Sequence, residues 1–204
     1  IDKMLVILPF EKDYYKNKWN WEVEYVGHPL VEVVDGFRES FLNLGEKPVI
    51  ALLPGSRKQE ILKKLPVMLE VSKFFPDHQF VVAKAPGQED SFYESLLQPY
   101  SNVSSVSDQT YALLRKSAAA LVTSGTATLE TALFNVPQVV CYKTSKISYT
   151  IGKWVIKVPY ISLVNLVMDR EVVRELIQDE MNEKILHDQL EKLLQDDGYR
   201  NRIK

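Results

Sequence analysis

Two short segments combine residue types that can hold an anion. Leu52-Leu53-Pro54-Gly55-Ser56-Arg57 is an apolar run ending in a glycine turn, where backbone can come close to a ligand. Ser56 and Gln59 stand at capping-box spacing, which predicts a helix starting there with free N–H groups pointing outward. Arg57 adds a fixed positive charge. By spacing alone the Pro-Gly pair is equally well a plain turn and Arg57 a solvated side chain. In the second segment, Val122 and Thr123 lead into Ser124, Gly125, Thr126, Ala127 and Thr128, then Leu129 and Glu130. Small and hydroxylated residues at a helix start favour a phosphate, because the helix dipole and unpaired N–H groups face it. Glu130, one turn further in, can accept two hydrogen bonds from the vicinal hydroxyls of a ribose, as acidic residues do in dinucleotide sites. The plainer alternative is that Glu130 only complements the helix dipole. Two such turns on neighbouring strands point to a nucleotide diphosphate site.

Other chemistries lack their marks. There is no Walker A sequence and no full G-x-G-x-x-G. The three histidines, His28, His78 and His187, stand beside no G-x-S-x-G elbow. His28 reads as structural in its Gly-His-Pro turn, and His78 and His187 as surface residues. The single cysteine, Cys141, allows no internal disulfide, and no His/Cys cluster has metal-ligand spacing.

The elements that must carry these turns follow from the pattern between Pro48 and Val140. Short β-branched apolar runs alternate with helical stretches, the mark of an α/β fold with an open parallel sheet covered by helices on both faces. Strands are predicted at Val49 to Leu53, Phe80 to Ala83, Val103 to Val106, Ala120 to Thr123 and Gln138 to Tyr142. Helices are predicted near Met68 to Phe75, Gln88 to Leu97, Thr110 to Ser117 and Thr128 to Asn135. Pro66 should end a short first helix and open the next. After Tyr142 the strand pattern stops. Val172, Val173, Leu176 and Ile177 share a helical face, and Asn182 caps a final helix with Ile185, Leu186, Leu190, Leu193 and Leu194 inward. Ligands of such sheets lie beyond the carboxyl ends of the strands, where both anion-binding turns fall.

Residues 1 to about 35 stand outside this alternation, with a strand in Met4 to Leu8, an aromatic and charged stretch from Phe10 to Trp21, and a strand at Val23 to Val26. The Gly27-His28-Pro29 turn that follows suits a domain boundary. The chain opens with Ile1 close to an apolar run, which reads as the interior of a longer protein. In composition, 46% hydrophobic and 25% charged residues describe a globular chain with a real core, and a net charge of -2 gives no case for a nucleic-acid partner. The lone cysteine, and the lack of a signal peptide or of about 18 consecutive apolar residues, lead us to expect a reducing cytoplasm.

Four segments together resemble the lipid-A-disaccharide synthase family: Val26-Gly27-His28-Pro29-Leu30, Leu53-Pro54-Gly55-Ser56-Arg57-Lys58-Gln59-Glu60-Ile61, Thr123-Ser124-Gly125-Thr126-Ala127-Thr128-Leu129-Glu130 and Tyr160-Ile161-Ser162-Leu163-Val164-Asn165-Leu166. Order, spacing and sequence agree over nearly the whole chain. The resemblance implies an inverting glycosyltransferase with two Rossmann-like halves, a GT-B architecture, of which residues 36–204 form the C-terminal, nucleotide-sugar half. Residues 1–35 would be the end of the N-terminal acceptor domain and its linker. The implied reaction moves a sugar from UDP-2,3-diacylglucosamine to the 6-hydroxyl of 2,3-diacylglucosamine 1-phosphate, giving the β-1,6 disaccharide of lipid A and UDP. No metal and no cofactor are implied. Gly55, Ser56, Arg57 and the turn Ser124, Gly125, Thr126, Ala127 would hold the donor's diphosphate and its developing charge. Glu130 would hold ribose. Asn165 matches the family's polar residue in the Ser-Leu-x-Asn loop beside the donor, and with Arg57 it is the expected leaving-group stabiliser. The general base is expected in the other half.

The implied partners are UDP-2,3-diacylglucosamine and UDP, with the lipid acceptor held by the other half; no nucleic acid is expected, and a homodimer stays open. The resemblance places the protein in the cytoplasm of a Gram-negative bacterium, peripheral at the inner face of the inner membrane. The stretch 143–157 has four lysines, no acid and an apolar group including Trp154, which suits a membrane surface or a protein neighbour equally. Two other readings remain: another UDP-sugar enzyme of this architecture, such as a UDP-N-acetylglucosamine epimerase, or a non-catalytic nucleotide-binding module.

Overall fold

A computed structural model describes residues 3–38, 41–145, 149 and 159–203. Two short parallel strands, β1 (Leu5–Val6) and β2 (Glu24–Tyr25), open the chain, joined by α1 (Pro9–Trp19). Both strands fall inside the runs that predict them. The Phe10 to Trp21 stretch, given no element from sequence, is mostly helix: Pro9 stands at its first turn, and the Glu11 carboxylate accepts from the Leu8 N–H at 2.8 Å. In α2 (Pro29–Asp35), His28 is the N-cap, its Nδ1 accepting from the Leu30 N–H at 3.1 Å. This is the structural role expected of it.

The main body runs β3 (Val49–Leu53), α3 (Lys58–Ser72), β4 (Gln79–Lys84), α4 (Asp90–Leu97), β5 (Val103–Ser107), α5 (Thr110–Lys116), β6 (Ser117–Thr123), α6 (Thr126–Leu133) and β7 (Gln138–Tyr142). It continues with α7 (Leu163–Met168), β8 (Arg174–Ile177), a short 3-10 turn, α8 (Glu183–Gln195) and α9 (Asp197–Ile203). Strands β3 to β8 form one parallel sheet in the order β5-β4-β3-β6-β7-β8. The chain winds outward from β3 in one direction, returns to β6 on the other side of β3, and winds outward again. This is the doubly wound order, with its reversal between β3 and β6.

Alternation along β3 sends Ile50 and Leu52 to one face and Val49, Ala51 and Leu53 to the other, all buried. The first face packs on Ile61, Leu65, Met68 and Leu69 of α3, Tyr93 and Leu97 of α4, and Leu186, Leu190 and Leu193 of α8. The second packs on Ala112, Leu113 and Leu114 of α5. Asn182 caps α8, its side chain accepting from the Ile185 N–H at 3.0 Å, as its sequence position predicts.

Three expectations are corrected. Pro66 does not divide α3, which runs through it. The carbonyl that loses its partner there belongs to Leu62, whose side chain is exposed, while core residues on both sides of the proline hold both halves of the helix. Ser56 does not cap α3: Arg57 is the N-cap, without a side-chain cap bond, and Glu60 sits at the third helical position. Finally, Val172 to Ile177 is not helical. Its core is β8, parallel to β7 with Cys141 opposite Leu176, because sheet pairing buries Leu176 on one face and Val173 and Glu175 on the other.

Candidate functional site

A cleft of ≈ 300 Å³ opens at the carboxyl ends of β3 and β6, where the sheet order reverses. Leu53 and Val122 are paired partners at those ends, so the two turns singled out in the sequence lie side by side. Gly55 and Ser56 form one wall, and Ser124, Gly125, Thr126, Ala127 and Glu130 the other.

Both glycines are required by geometry. Gly55 has φ +111, and a Cβ there would lie 3.1 Å from a Glu60 carboxylate oxygen and 3.3 Å from Lys64 Nζ. Gly125 has φ +140 and is the N-cap of α6, with open space where a side chain would be. Neither α3 nor α6 has a side-chain cap; the Glu60 and Thr128 N–H groups donate to the Arg57 and Gly125 carbonyls, and the first two N–H groups of each helix have no partner among the described residues. The Ser124 hydroxyl is already engaged, donating to the Ile161 carbonyl at 2.6 Å.

Glu130 lines the cleft from the second turn of α6, with one oxygen accepting from the Tyr111 hydroxyl at 3.1 Å. Burial, and then the Glu130 charge, raise the Tyr111 phenol above its ordinary value, so it stays a donor. Arg57 stands at the rim rather than in the lining: its side chain is 82% exposed and its guanidinium meets Glu60 at 3.2 Å. Asn165 is not in the cleft. It is fully buried, its Oδ1 accepting from the Val172 and Val173 N–H groups and its Nδ2 donating to the Val173 carbonyl and the Glu175 carboxylate. With all these bonds made, the side chain has nothing left for a ligand. The structure thus shows Asn165 holding its loop and does not bring it to the cleft lining.

Several cleft residues were not read from the sequence. Lys84 ends β4, and Ala85 and Pro86 open a third strand-to-helix turn after it. Lys84 pairs with Asp90 at 2.5 Å, and the Ala85 N–H donates to the buried Tyr93 hydroxyl at 2.9 Å. The signal was present, since Lys84-Ala85-Pro86-Gly87 ends an apolar strand as Leu53-Pro54-Gly55 does. Glu60, Thr110 and Thr123 also line the cleft. Behind it, Lys64 is buried, its Nζ donating to the Thr123 hydroxyl, and that burial lowers its pKa from 10.5. Of the basic stretch 143–157, Lys143 donates to the Met181 carbonyl at 3.2 Å, while most of the stretch, including Trp154, lies outside the described residues. No helix among the described residues is long and apolar enough to cross a membrane.

A doubly wound parallel sheet with two uncapped helix N-termini meeting at its reversal point defines a Rossmann-like domain of the kind that binds nucleotides. A family model described as lipid-A-disaccharide synthetase matches residues 1–204, and the chain belongs to that family. The lipid-A-disaccharide synthases of Syntrophus aciditrophicus and Myxococcus xanthus are each 38% identical to it, covering 89% and 95% of this chain but 50% and 53% of their own. The chain thus spans about half the length of the curated relatives it matches. Among solved structures, Staphylococcus aureus MnaA with UDP aligns at TM-score 0.70 and 10% identity over 99% of this chain and 53% of its own. The calicheamicin glycosyltransferase CalG4 aligns at TM-score 0.60 and 16% identity over 100% and 48%. At such identities the likeness concerns the fold, one shared by glycosyltransferases and epimerases.

Proposed function

We propose that this chain is the UDP-sugar half of a lipid-A-disaccharide synthase and that UDP-2,3-diacylglucosamine binds in the cleft between β3 and β6. One observation carries the reading: the Gly55 and Gly125 turns, on paired strands, present two free helix N-termini to one cleft. A diphosphate spanning that gap meets N–H groups from both sides. The Glu130 oxygen not bonded to Tyr111 is suited to ribose hydroxyls, and Arg57, exposed at the rim, to the charge that grows on the leaving diphosphate. In this reading residues 36–204 are the donor domain, and 1–35 continue from an acceptor domain that supplies the general base. The acceptor's 6-hydroxyl oxygen attacks the donor's anomeric carbon from the face opposite UDP. The bond from that carbon to the diphosphate oxygen breaks with its electron pair leaving on UDP, and the hydroxyl proton passes to the base. Contact of 143–157 with a membrane surface belongs to the same reading.

Calorimetry of the chain with UDP, and a disaccharide assay with both lipid substrates, test this. The expected result is one UDP site and no turnover by the chain alone, since catalysis requires both substrates held together. Absence of UDP binding would sink the site reading. Turnover by the isolated chain would sink the division of labour.

A further inference from the structure

The residues lining the cleft do not account for all of its charge. Lys64, on the second turn of α3, has a side chain only 3% exposed. Its Nζ donates one proton to the Thr123 hydroxyl, and the other two have no hydrogen-bond partner among the described residues. Glu60 stands 3.9 Å away, at the limit of an ion pair, and its other oxygen turns to Arg57 at 3.2 Å. A buried ammonium so thinly compensated is costly unless something else supplies negative charge. Its position says where that charge would come from. Thr123, Gly55 and Glu60 all line the cleft, and a Cβ on Gly55 would come within 3.3 Å of Nζ. The ammonium therefore lies immediately behind the glycine turn that a diphosphate would face.

We propose that Lys64 is the buried cation against which the cleft binds a diphosphate, and that diphosphate binding is coupled to protonation of this ammonium. The proposal rests on the reading of the cleft as a nucleoside-diphosphate site and adds to it a charge outside the lining. In the free protein burial lowers the pKa of Lys64. The groups acting on it are Glu60 and Lys63 of its own helix and the Cys141 thiol of β7, with the Thr123 hydroxyl from β6. From α8, on the other side of α3, the buried residues are Leu186, Leu190 and Leu193. The Cys141 thiol is pushed up to about 12 by burial and stays neutral through the range that matters. An anion in front of Gly55 raises the Lys64 pKa again. Between the free and the liganded values the complex holds one more proton than its parts. Affinity therefore falls as pH rises through that window, and binding takes up a proton there. A terminal phosphate completes its ionisation at about pH 6, so above about pH 7 the diphosphate's charge is constant and only the uracil imide, which uridine shares, still titrates on the ligand.

The test is calorimetry of UDP binding to the chain from about pH 7 to about pH 10, in buffer pairs of different ionisation enthalpy. Wild type should take up a proton within this range, with affinity falling up to about tenfold per pH unit. Lys64→Met, which fills the stem's space without charge, should bind UDP about tenfold more weakly at pH 7 and take up no more protons with UDP than with uridine. Lys64→Gln, which can still donate to Thr123, should behave like Lys64→Met. Uridine, lacking the diphosphate, should bind wild type with only the uptake that its uracil imide brings, and UDP should exceed it. An excess of uptake with UDP over uridine surviving in either variant, or no such excess in wild type, overturns the proposal and leaves the UDP site standing. Failure of wild type to bind UDP at any pH overturns the site reading instead. Should both variants fail to fold, the wild-type comparison of UDP with uridine still decides.

Discussion

The Ser124 hydroxyl donates to the Ile161 carbonyl at 2.6 Å, a bond that ties the cleft's second turn to a loop 37 residues further along the chain. That loop is itself held from below. The Glu175 carboxylate, only 8% exposed on β8, accepts from the Ile161 N–H at 3.0 Å, the Ser162 N–H at 2.9 Å, the Ser162 hydroxyl at 2.7 Å and Asn165 Nδ2 at 2.9 Å. Four donors converge on one buried carboxylate, which compensates its desolvation with no cation paired to it among the described residues. The shape of the Ser124 turn thus depends on the last strand of the sheet.

Glu175→Ala should therefore cost about 3 kcal/mol of stability, since it strands several buried donors, and UDP affinity should fall with it. Asn165→Ala should show the same signature in urea unfolding. A variant of Asn165 with wild-type stability and a selective loss of turnover would instead return that residue to the donor.

Arg57 combines a rim position with a weak ion pair, so its replacement tests function with little structural cost. In a complete enzyme Arg57→Ala should lower turnover by roughly a hundredfold or more, the scale for loss of one charge-stabilising donor. The melting temperature should hardly move, because the side chain is 82% exposed and its partner Glu60 is also hydrated. Unchanged kinetics in the folded variant would make Arg57 a solvated surface residue.

For Glu130 the sensitive measurement is nucleotide affinity. Glu130→Gln loses charge-assisted hydrogen bonds to ribose, worth about 1.5 to 3 kcal/mol, so UDP should bind roughly tenfold or more weakly. The penalty should vanish for 2′,3′-dideoxy-UDP. Tyr111→Phe, which frees the second Glu130 oxygen, should change UDP affinity far less. An equal penalty for the dideoxy analogue would remove Glu130 from the ribose.

Much of the fold was legible because its signals are local. The predicted and observed limits of β3 and β7 coincide, since each is a short apolar run closed by a change of residue type. His28 and Asn182 cap their helices through contacts two or three residues away. The failures have equally definite causes. Val172 to Ile177 carries a pattern that fits either a helix or a short strand, and four residues are too few to decide by period. Pro66 breaks an isolated helix but not one whose two halves are pinned by Ile61, Leu65, Met68 and Leu69. In the cleft, the Gly55 and Gly125 turns could be read because each glycine closes an apolar strand just before a helix, although spacing alone left a plain turn equally open at Gly55.

By itself the sequence determined the parallel α/β architecture, the two glycine turns at strand ends and membership of a family recognisable from four separated motifs. Only the tertiary structure decided that those turns face each other, because pairing of β3 with β6 is a contact between segments about 70 residues apart. It also placed Asn165 outside the cleft and Lys64 at the cleft's back wall. On the sequence, Lys64 is one of two adjacent lysines in a helical stretch with nothing to distinguish them. Charge and hydrogen-bonding capacity are properties of the residue, but desolvation depends on what the rest of the chain folds against it. The same ammonium is a solvated surface group or a buried cation according to that packing alone.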